Sequence, residues 1–282
     1  MQITHFEAPL GAEITGIDLS GEIDSDTAAR IDAALEERLV LRLRDQDLAD
    51  PDLMRFAGLF GALDPPGPNP YGAPFNTEHP ELNVISNIVE DGQPKGNLGD
   101  GEAVWHADMT YVAVPPRAAV LYGIEIPAGA GDTYFADMYA AHDALPADLA
   151  QRIEGRIAIH DETHNSAGMR RKGYGEVTDV RETPGARHPL VRTHPASGRK
   201  CLFLGRRPRS YIVDMEVAES EDLLDALWDH ATQAQFTWCQ QWRARDVLMW
   251  NNLAVLHRRD AFDPNLRRRL HRAQIKGSER VA

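Results

Sequence analysis

Short alternations of hydrophobic and polar positions along this chain predict strands rather than long helices. Residues 12–19, 39–43 and 82–86 are runs rich in leucine, isoleucine and valine, and each is followed by polar or turn-forming residues. Several further short strands with turn signals between them fit a jelly-roll barrel, a double-stranded β-helix, better than a parallel α/β sheet. The pattern therefore predicts a mainly β fold.

Helical spacing of apolar positions is confined to a few segments that would flank this β core. Residues 24–37 have the spacing of an amphipathic helix, with Ser25 or Asp26 as the expected N-cap. Residues 51–60 predict a second helix, which proline opens and glycine closes. We find no internal repeat, so residues 1–282 are interpreted as one domain.

Two long polar segments interrupt the regular pattern. Residues 65–101 are dense in proline, glycine and asparagine, and residues 165–187 carry glycine, arginine and threonine with little apolar periodicity. Connections of this length in a compact domain are usually functional. We predict that both segments act as lids over a binding site.

The overall charge and the cysteine content exclude several classes of partner. A net charge of −13 argues against a nucleic-acid partner, because such a surface must bind phosphates. No apolar run has membrane-spanning length, and the first residues lack the pattern of a signal peptide. Cys201 and Cys239 are too few for a disulfide framework and are interpreted as buried thiols. We therefore expect a cytoplasmic protein without a membrane partner.

The sequence Trp105-His106-Ala107-Asp108, followed far downstream by His257, carries the candidate chemistry. Two imidazoles and one carboxylate are the set that leaves three coordination positions open on non-haem Fe(II). If the segment is a strand, His106 and Asp108 point to the same side because side chains alternate between faces. Arg268 and Arg272 would also share a face, and a guanidinium can hold a carboxylate of a dianionic cosubstrate.

On these motifs, the chain resembles the Fe(II)/2-oxoglutarate-dependent dioxygenases of the taurine dioxygenase and 2,4-dichlorophenoxyacetate dioxygenase type. Besides the histidine and arginine motifs, the resemblance rests on Gly131-Asp132-Thr133, on Thr193-His194-Pro195 and on Trp250-Asn251-Asn252, which occur in the family's order. It covers almost the whole chain and independently implies the double-stranded β-helix.

The resemblance implies specific roles and a reaction. Fe(II) would be held by His106, Asp108 and His257, and the far carboxylate of 2-oxoglutarate would be bound by Arg268 and Thr133. Arg272 would lie near the cosubstrate and near the acidic group of the substrate. The implied reaction hydroxylates a small organic acid with O2 and releases succinate and CO2, with net C–S or C–O cleavage for some substrates. A homodimer or homotetramer is implied by analogy alone.

The substrate contacts are the least specific part of the resemblance. Relatives place them in the first lid and just before the HxD motif, where this chain has Asn87 and Glu102. Glu102 departs from the amide found in taurine dioxygenases, and a carboxylate facing a sulfonate would repel it. Asn251 also departs from the usual aspartate and is expected to support His257. For the basic cluster Arg206, Arg207 and Arg209 we expect a surface role, with an anion-binding lid contact as the alternative.

Two other functions are compatible with parts of the pattern. A zinc-dependent hydrolase could use the same three ligands to activate water, although Arg268 and Thr133 would then have no purpose. A non-catalytic barrel could sense 2-oxoglutarate or another acid, although it would not need the complete set of ligands.

Overall fold

The computed structural model describes residues 1–281, in which five α-helices flank a larger number of short strands. The helices are α1 (Ser25–Arg38), α2 (Asp50–Gly58), α3 (Met138–Asp143), α4 (Ala147–Ile153) and α5 (Val217–Ala231). The strands are β1 (Gln2–His5), β2 (Ala12–Thr15), β3 (Val40–Leu43), β4 (Leu63–Asp64), β5 (Asn83–Ser86), β6 (Val89–Glu90), β7 (Gln93–Pro94), β8 (Asn97–Leu98), β9 (Ala103–His106), β10 (Ala118–Glu125), β11 (Thr133–Asp137), β12 (Ile157–Ile159), β13 (Arg187–Pro189), β14 (Val191–Thr193), β15 (Lys200–Leu202), β16 (Tyr211–Ile212), β17 (Thr237–Gln240), β18 (Val247–Asn251), β19 (Val255–Arg259) and β20 (Arg269–Ile275). The predicted mainly β class with flanking helices is confirmed.

Two sheets contain most of these strands. The larger is nine-stranded in the order β1-β2-β3-β18-β10-β20-β5-β8, with β4 paired to β20. The smaller is four-stranded in the order β17-β11-β19-β9. The pairs in both sheets are antiparallel except β2 with β3 and β5 with β8. The central strands pair with strands that are distant in sequence: β3 pairs with β18, and β5 pairs with β20.

Alternation along the central strands divides the apolar interior into two clusters. On β10, Val120 belongs to a cluster that includes Ile31 of α1 and Phe56 of α2, so these helices cover one face of the larger sheet. The next residue, Leu121, belongs to the other cluster, which includes Phe135 of the smaller sheet. Successive side chains on a strand point to opposite faces. The smaller sheet and the two N-terminal helices therefore lie on opposite sides of the larger sheet.

The local predictions agree with these elements to within a few residues, and their ends differ for identifiable reasons. The first helix begins at Ser25, and its cap is Asp24 rather than Ser25 or Asp26, because the Asp24 carboxylate accepts from the Thr27 amide at 2.7 Å. The predicted strand at 39–43 begins at Val40, because Leu39 has a left-handed conformation that ends α1. The strand predicted at 12–19 is shorter and ends at Thr15.

The two polar segments lie against each other. The first contains the short strands β6, β7 and β8, and the second is mostly irregular. The Lys172 amide donates to the Asn69 carbonyl at 3.4 Å, which joins the segments directly. Cys201 is buried as predicted, whereas Cys239 is half-buried and both thiols are free. Within residues 1–281, every helix is too short or too polar to cross a membrane.

Candidate active site

The two predicted histidine ligands lie side by side on neighbouring strands of the smaller sheet. His106 ends β9 and is the direct register partner of His257 in β19. Paired residues of antiparallel strands project to the same face, and the two ring centroids are 4.1 Å apart. The His257 ring also lies against Phe135, at 5.8 Å, and Trp250, at 5.0 Å between centroids. Buried aromatic rings therefore fix its orientation.

Asp108 joins the histidines through a turn rather than through strand alternation. Strand β9 ends at His106, and Asp108 lies in the turn that follows, which corrects the expectation of a continuous strand. The turn is held by Asn252, whose side-chain oxygen accepts from the Asp108 amide at 2.7 Å. Its Nδ2 donates to the Asp108 carbonyl at 2.8 Å. Asn252 is fully buried and thereby positions the carboxylate.

His106, Asp108 and His257, referred to below as the His/Asp/His cluster, present their donor atoms to one point. One donor atom from each residue lies within 4.8 Å of the others. His106 Nδ1 lies 2.7 Å from the Val104 carbonyl, so this nitrogen carries the proton and Nε2 keeps its lone pair towards Asp108. Burial lowers the pKa of His257 well below its usual value, and His106 adds to this effect. The His257 imidazole is therefore neutral.

The Asp108 carboxylate is ionised because a buried arginine faces it. Burial acts to raise the pKa of Asp108, but the charge of Arg272 overcomes it, with His257 contributing, and the pKa lies well below its ordinary value. Arg272 Nη1 donates to both carboxylate oxygens at 2.7 Å. Arg272 thus lies at the cluster, as the spacing predicts, and the neighbouring His271 points away to Asp50 at 2.6 Å.

Arg268 lies just before β20 and is buried without a carboxylate partner. It is 2% exposed, its Nη2 donates to the Gly131 carbonyl at 3.2 Å, and its Nε has no partner among residues 1–281. A Cβ on Gly131, whose φ is +69°, would lie 2.9 Å from the Arg268 Nε, so only glycine leaves room for this side chain. Burial is the main cause that lowers the pKa of Arg268. An uncompensated buried cation is a site for an anion.

Thr133 lies on the same face of the smaller sheet as the cluster. In β11, Thr133 and Phe135 are two residues apart, and Phe135 pairs with His257. The Thr133 hydroxyl oxygen accepts from Trp242 Nε1 at 2.9 Å, which leaves its proton available to another acceptor. The predicted cosubstrate residues thus flank Gly131, close to one end of the His/Asp/His cluster.

A cavity opens beside the cluster. Both predicted lids contribute to its wall: Gly67, Pro68, Asn69, Asn83, Asn97 and Leu98 from the first and Asn165, Ser166 and Arg171 from the second. The remaining wall is largely polar and comprises His106, Ala107, Asp108, Met109, Thr110, Tyr111, His160, Asp161, His164, Arg206 and Arg272.

The two other residues predicted to contact substrate do not line this cavity. Asn87 caps the chain before β20, where its Oδ1 accepts from the Arg268 amide at 3.0 Å and its Nδ2 donates to the Leu266 carbonyl at 2.7 Å. The Glu102 side chain is 55% exposed and lies 3.8 Å from Arg258. Glu102 precedes β9 on the outer surface, so its charge does not face the cavity.

Two further expectations need correction. Asn251 does not support His257: its Nδ2 donates to Glu36 of α1 at 3.2 Å, on the opposite face of β18 from Trp250. Arg206 is not a surface residue, because it is 7% exposed and forms an ion pair with the buried Asp161. Arg207 has the expected surface role and pairs with Glu221 and Asp225 at 2.7 and 2.6 Å.

Sequence reasoning missed Asn252 as the residue that holds Asp108, and it missed Arg171 and Tyr111 on the cavity wall. The only available signal was the Trp-Asn-Asn motif, in which the second asparagine has the structural role. Arg171 follows Arg170 in a polar run, and nothing in the local pattern distinguishes the half-buried arginine from the exposed one.

The comparisons with known proteins agree with this geometry. The family described as "Taurine catabolism dioxygenase TauD, TfdA family" matches residues 2–274. The chain belongs to the TauD/TfdA family. It is accordingly an oxidoreductase of the dioxygenase class that this family comprises.

Curated relatives and solved structures cover nearly the whole TauD/TfdA-family chain. An alpha-ketoglutarate-dependent 2,4-dichlorophenoxyacetate dioxygenase of Cupriavidus pinatubonensis is 35% identical over 270 residues, with 93% of each chain covered. A pentalenolactone F synthase of Streptomyces arenae is 32% identical, covering 93% of this chain and 90% of the relative. The crystal structure of AAD-2 in complex with Mn(II) and N-oxalylglycine has a TM-score of 0.80 at 29% identity, covering 100% of this chain and 99% of the other.

Proposed function

We propose that this protein is a non-haem Fe(II)- and 2-oxoglutarate-dependent dioxygenase that hydroxylates a small organic acid and releases succinate and CO2. The observation that carries the proposal is the His/Asp/His cluster, with its three donor atoms within 4.8 Å, together with the buried Arg268, whose Nε has no partner among residues 1–281. Where the hydroxylated carbon carries sulfur or oxygen, the product breaks down, and the net reaction is C–S or C–O cleavage.

The donor set fits Fe(II). Two neutral imidazole nitrogens and one carboxylate are the ligands of the mononuclear iron oxygenases, and they leave open positions for cosubstrate and O2. The hydrogen bond from His106 Nδ1 to Val104 is the outer contact that fixes a ligand's tautomer. The iron, when bound, supplies the oxygen chemistry, while the protein supplies position and electrostatics.

The flanking residues hold and orient the organic reactants. Arg268 would form a bidentate pair with the far carboxylate of 2-oxoglutarate, and Thr133 would donate its hydroxyl proton to the same group. If a metal coordinates the Asp108 carboxylate, Arg272 would have donors free for the acidic group of the substrate. The alternative as a zinc hydrolase leaves the buried charge of Arg268 without an anion, so it explains less of the site.

We propose further that the chain is a single domain with the double-stranded β-helix of its family, and that residues 65–101 and 165–187 are lids. Support for the fold comes from the two sheets that share one apolar cluster through Phe135 and Trp250, 5.7 Å apart. Support for the lids comes from their contact between Lys172 and Asn69 beside the cavity. Closed lids would exclude water from the reacting groups.

The test is O2 consumption and succinate formation with Fe(II) and 2-oxoglutarate, across sulfonates, aryloxyalkanoates, sulfate esters, phosphonates and N-substituted amino acids. We expect slow succinate formation without substrate and faster formation with one class. Asp108→Ala and His257→Ala should abolish turnover and keep the far-UV spectrum, whereas the exposed controls Asp143→Ala and His5→Ala should retain activity. Full activity in either cluster variant, or no succinate under any condition, would refute the proposal.

A further inference from the structure

Three arginines line the cavity, and only one of them lacks a carboxylate partner among residues 1–281. Arg206 pairs with the buried Asp161, and Arg272 pairs with Asp108. Arg171 forms no ion pair within 4.0 Å in the described part of the chain, and it comes from the second polar segment rather than from a strand. Its guanidinium is therefore not held in a direct ion pair by these residues.

Neighbouring groups fix the Arg171 guanidinium in place. Its centre lies 3.9 Å from the centroid of the Tyr111 ring, a stacked cation–π arrangement. Its Nη1 donates to the Glu162 carbonyl at 2.7 Å. These contacts use one face and one edge of the guanidinium, and its Nε is buried without a partner in the part of the chain that the structure describes. An oriented fork with free donors is suited to a carboxylate, sulfonate or phosphonate group.

The rest of this wall is also polar and incompletely paired. Within residues 1–281, the Tyr111 hydroxyl is buried without a partner, and so are both ring nitrogens of His160. Buried polar groups in proteins are almost always hydrogen-bonded, so several unpaired ones around a cavity indicate a polar ligand. A site built for hydrogen bonds rejects analogues that cannot form them. This wall is a poor receptor for the chlorinated ring that one relative's name implies.

We propose that Arg171, with the Tyr111 hydroxyl, binds a second anionic group of the substrate, so that the enzyme takes small organic dianions. This proposal rests on the proposed function, in which Arg272 binds the first acidic group. Arg171 would then be a specificity-determining residue that selects dianions over monoanions of the same chain length. It belongs to the second lid, so binding of the dianion would also hold that lid against the cavity.

The test measures binding rather than turnover. Enzyme loaded with Mn(II) and N-oxalylglycine, an unreactive analogue of 2-oxoglutarate, is titrated calorimetrically with two matched pairs: 3-sulfopropanoate against propane-1-sulfonate, and adipate against hexanoate. In each pair the compounds differ by one anionic group. We expect at least one dianion to bind about 10-fold or more tightly than its partner, since hydrogen bonds to charged groups contribute about 1.5–3 kcal/mol. Absence of any such preference in the wild type would overturn the proposal.

Variants assign the preference to one residue. Arg171→Gln should reduce the ratio within a pair to less than about 3-fold by removing a charge-assisted contact. Binding of the monoanion should stay unchanged. Arg171→Lys keeps the charge but lacks the planar guanidinium. Its ratio of dianion to monoanion affinity should lie between those of the wild type and Arg171→Gln. Arg170→Gln removes the same charge from the exposed neighbour, so it should behave as the wild type. Persistence of the dianion preference in Arg171→Gln would overturn the assignment.

Two further measurements distinguish failure of this proposal from failure of the proposed function on which it rests. The far-UV spectrum and the N-oxalylglycine affinity of Arg171→Gln should match the wild type, which shows that the fold and the cosubstrate site are intact. Succinate formation without substrate tests the proposed function by itself. Its absence would refute the dioxygenase reaction. If succinate formation is intact, a wild type without the dianion preference, or an Arg171→Gln variant that keeps it, would refute only the role of Arg171.

Discussion

At the scale of single residues, Arg268 shows how a buried charge indicates a missing ligand. A guanidinium removed from water is stable only when anions or hydrogen-bond acceptors compensate it, and removing a counter-charge costs about 3–5 kcal/mol. Arg268 has one carbonyl acceptor and a free Nε, and it lies next to another buried arginine, Arg259, whose charge lowers the pKa of Arg268 further after burial itself. The arrangement is favourable once a carboxylate binds between Arg268 and Thr133.

Substitution of Arg268 should therefore act on the cosubstrate and not on the metal. We expect Arg268→Ala to raise the concentration of 2-oxoglutarate needed for half-maximal succinate formation by about 10- to 100-fold, the value of one or two charge-assisted bonds. The affinity for Fe(II) should change little. The control is Arg267→Ala, because Arg267 is exposed and pairs with Glu125 at 2.9 Å. An unchanged 2-oxoglutarate requirement would instead assign the carboxylate to Arg272.

At the scale of secondary-structure elements, Asp50 ties α2 to the larger sheet and to the polar segment 65–101. His271 Nδ1 of β20 lies 2.6 Å from one Asp50 oxygen, and Asn76 Nδ2 donates to the other at 2.7 Å. Burial acts to raise the pKa of Asp50, but the bonds from His271 and Asn76 outweigh it, and the pKa is lowered. Because the native pKa is below the unfolded one, the carboxylate stabilises the fold above the unfolded pKa of about 3.9.

This contribution should be lost as the pH falls through the lower native pKa. We expect Asp50→Asn to lower the free energy of unfolding by about 1–2 kcal/mol at pH 7. The difference from the wild type should narrow below a pH of about 4. Urea unfolding between pH 7 and pH 3 measures it. Asp47→Asn is the control, because the Asp47 side chain is 84% exposed and its pair with Arg245 should contribute almost nothing. A difference that is constant over this range would contradict the electrostatic origin.

Elements that depend on local apolar spacing were predicted from the sequence, whereas features that depend on distant residues were not. Helix α1 and strands β3 and β5 follow from local spacing of apolar residues and were predicted to within a residue or two. The turn that carries Asp108 depends on Asn252, 144 residues away, so no local pattern reveals it. Arg206 was expected at the surface because it lies in a basic run, and only its pairing with Asp161 explains its burial. Motif spacing predicted three residues whose donor atoms converge, whereas the cavity wall required tertiary contacts.

At the scale of the whole molecule, the apolar interior and the reactive site are largely separate. The cluster under α1 and α2 contains none of the predicted ligands, and it packs the face of the larger sheet that is remote from His257. The other cluster reaches the site through Phe135 and Trp250, which contact the His257 ring. Stability should thus come from the sheets and helices, while metal and cosubstrate add to it only by binding.

Removal of the metal should consequently leave a folded protein whose melting temperature falls by a limited amount. Ligands at 100 times their Kd stabilise the native state by about 2.7 kcal/mol. In a domain of this size each kcal/mol shifts the midpoint by about 2–4 °C. On these figures, we expect Mn(II) with N-oxalylglycine to raise the melting temperature by about 5–10 °C over that of chelator-treated protein.

Asp108→Ala should remove the shift, and it should also melt below the wild-type apoprotein because Arg272 loses its buried counter-charge. Asp143→Ala should keep the full shift. A shift that survives in Asp108→Ala would place the metal elsewhere, and unfolding on chelation would mean that the site, rather than the two apolar clusters, holds the sheets together.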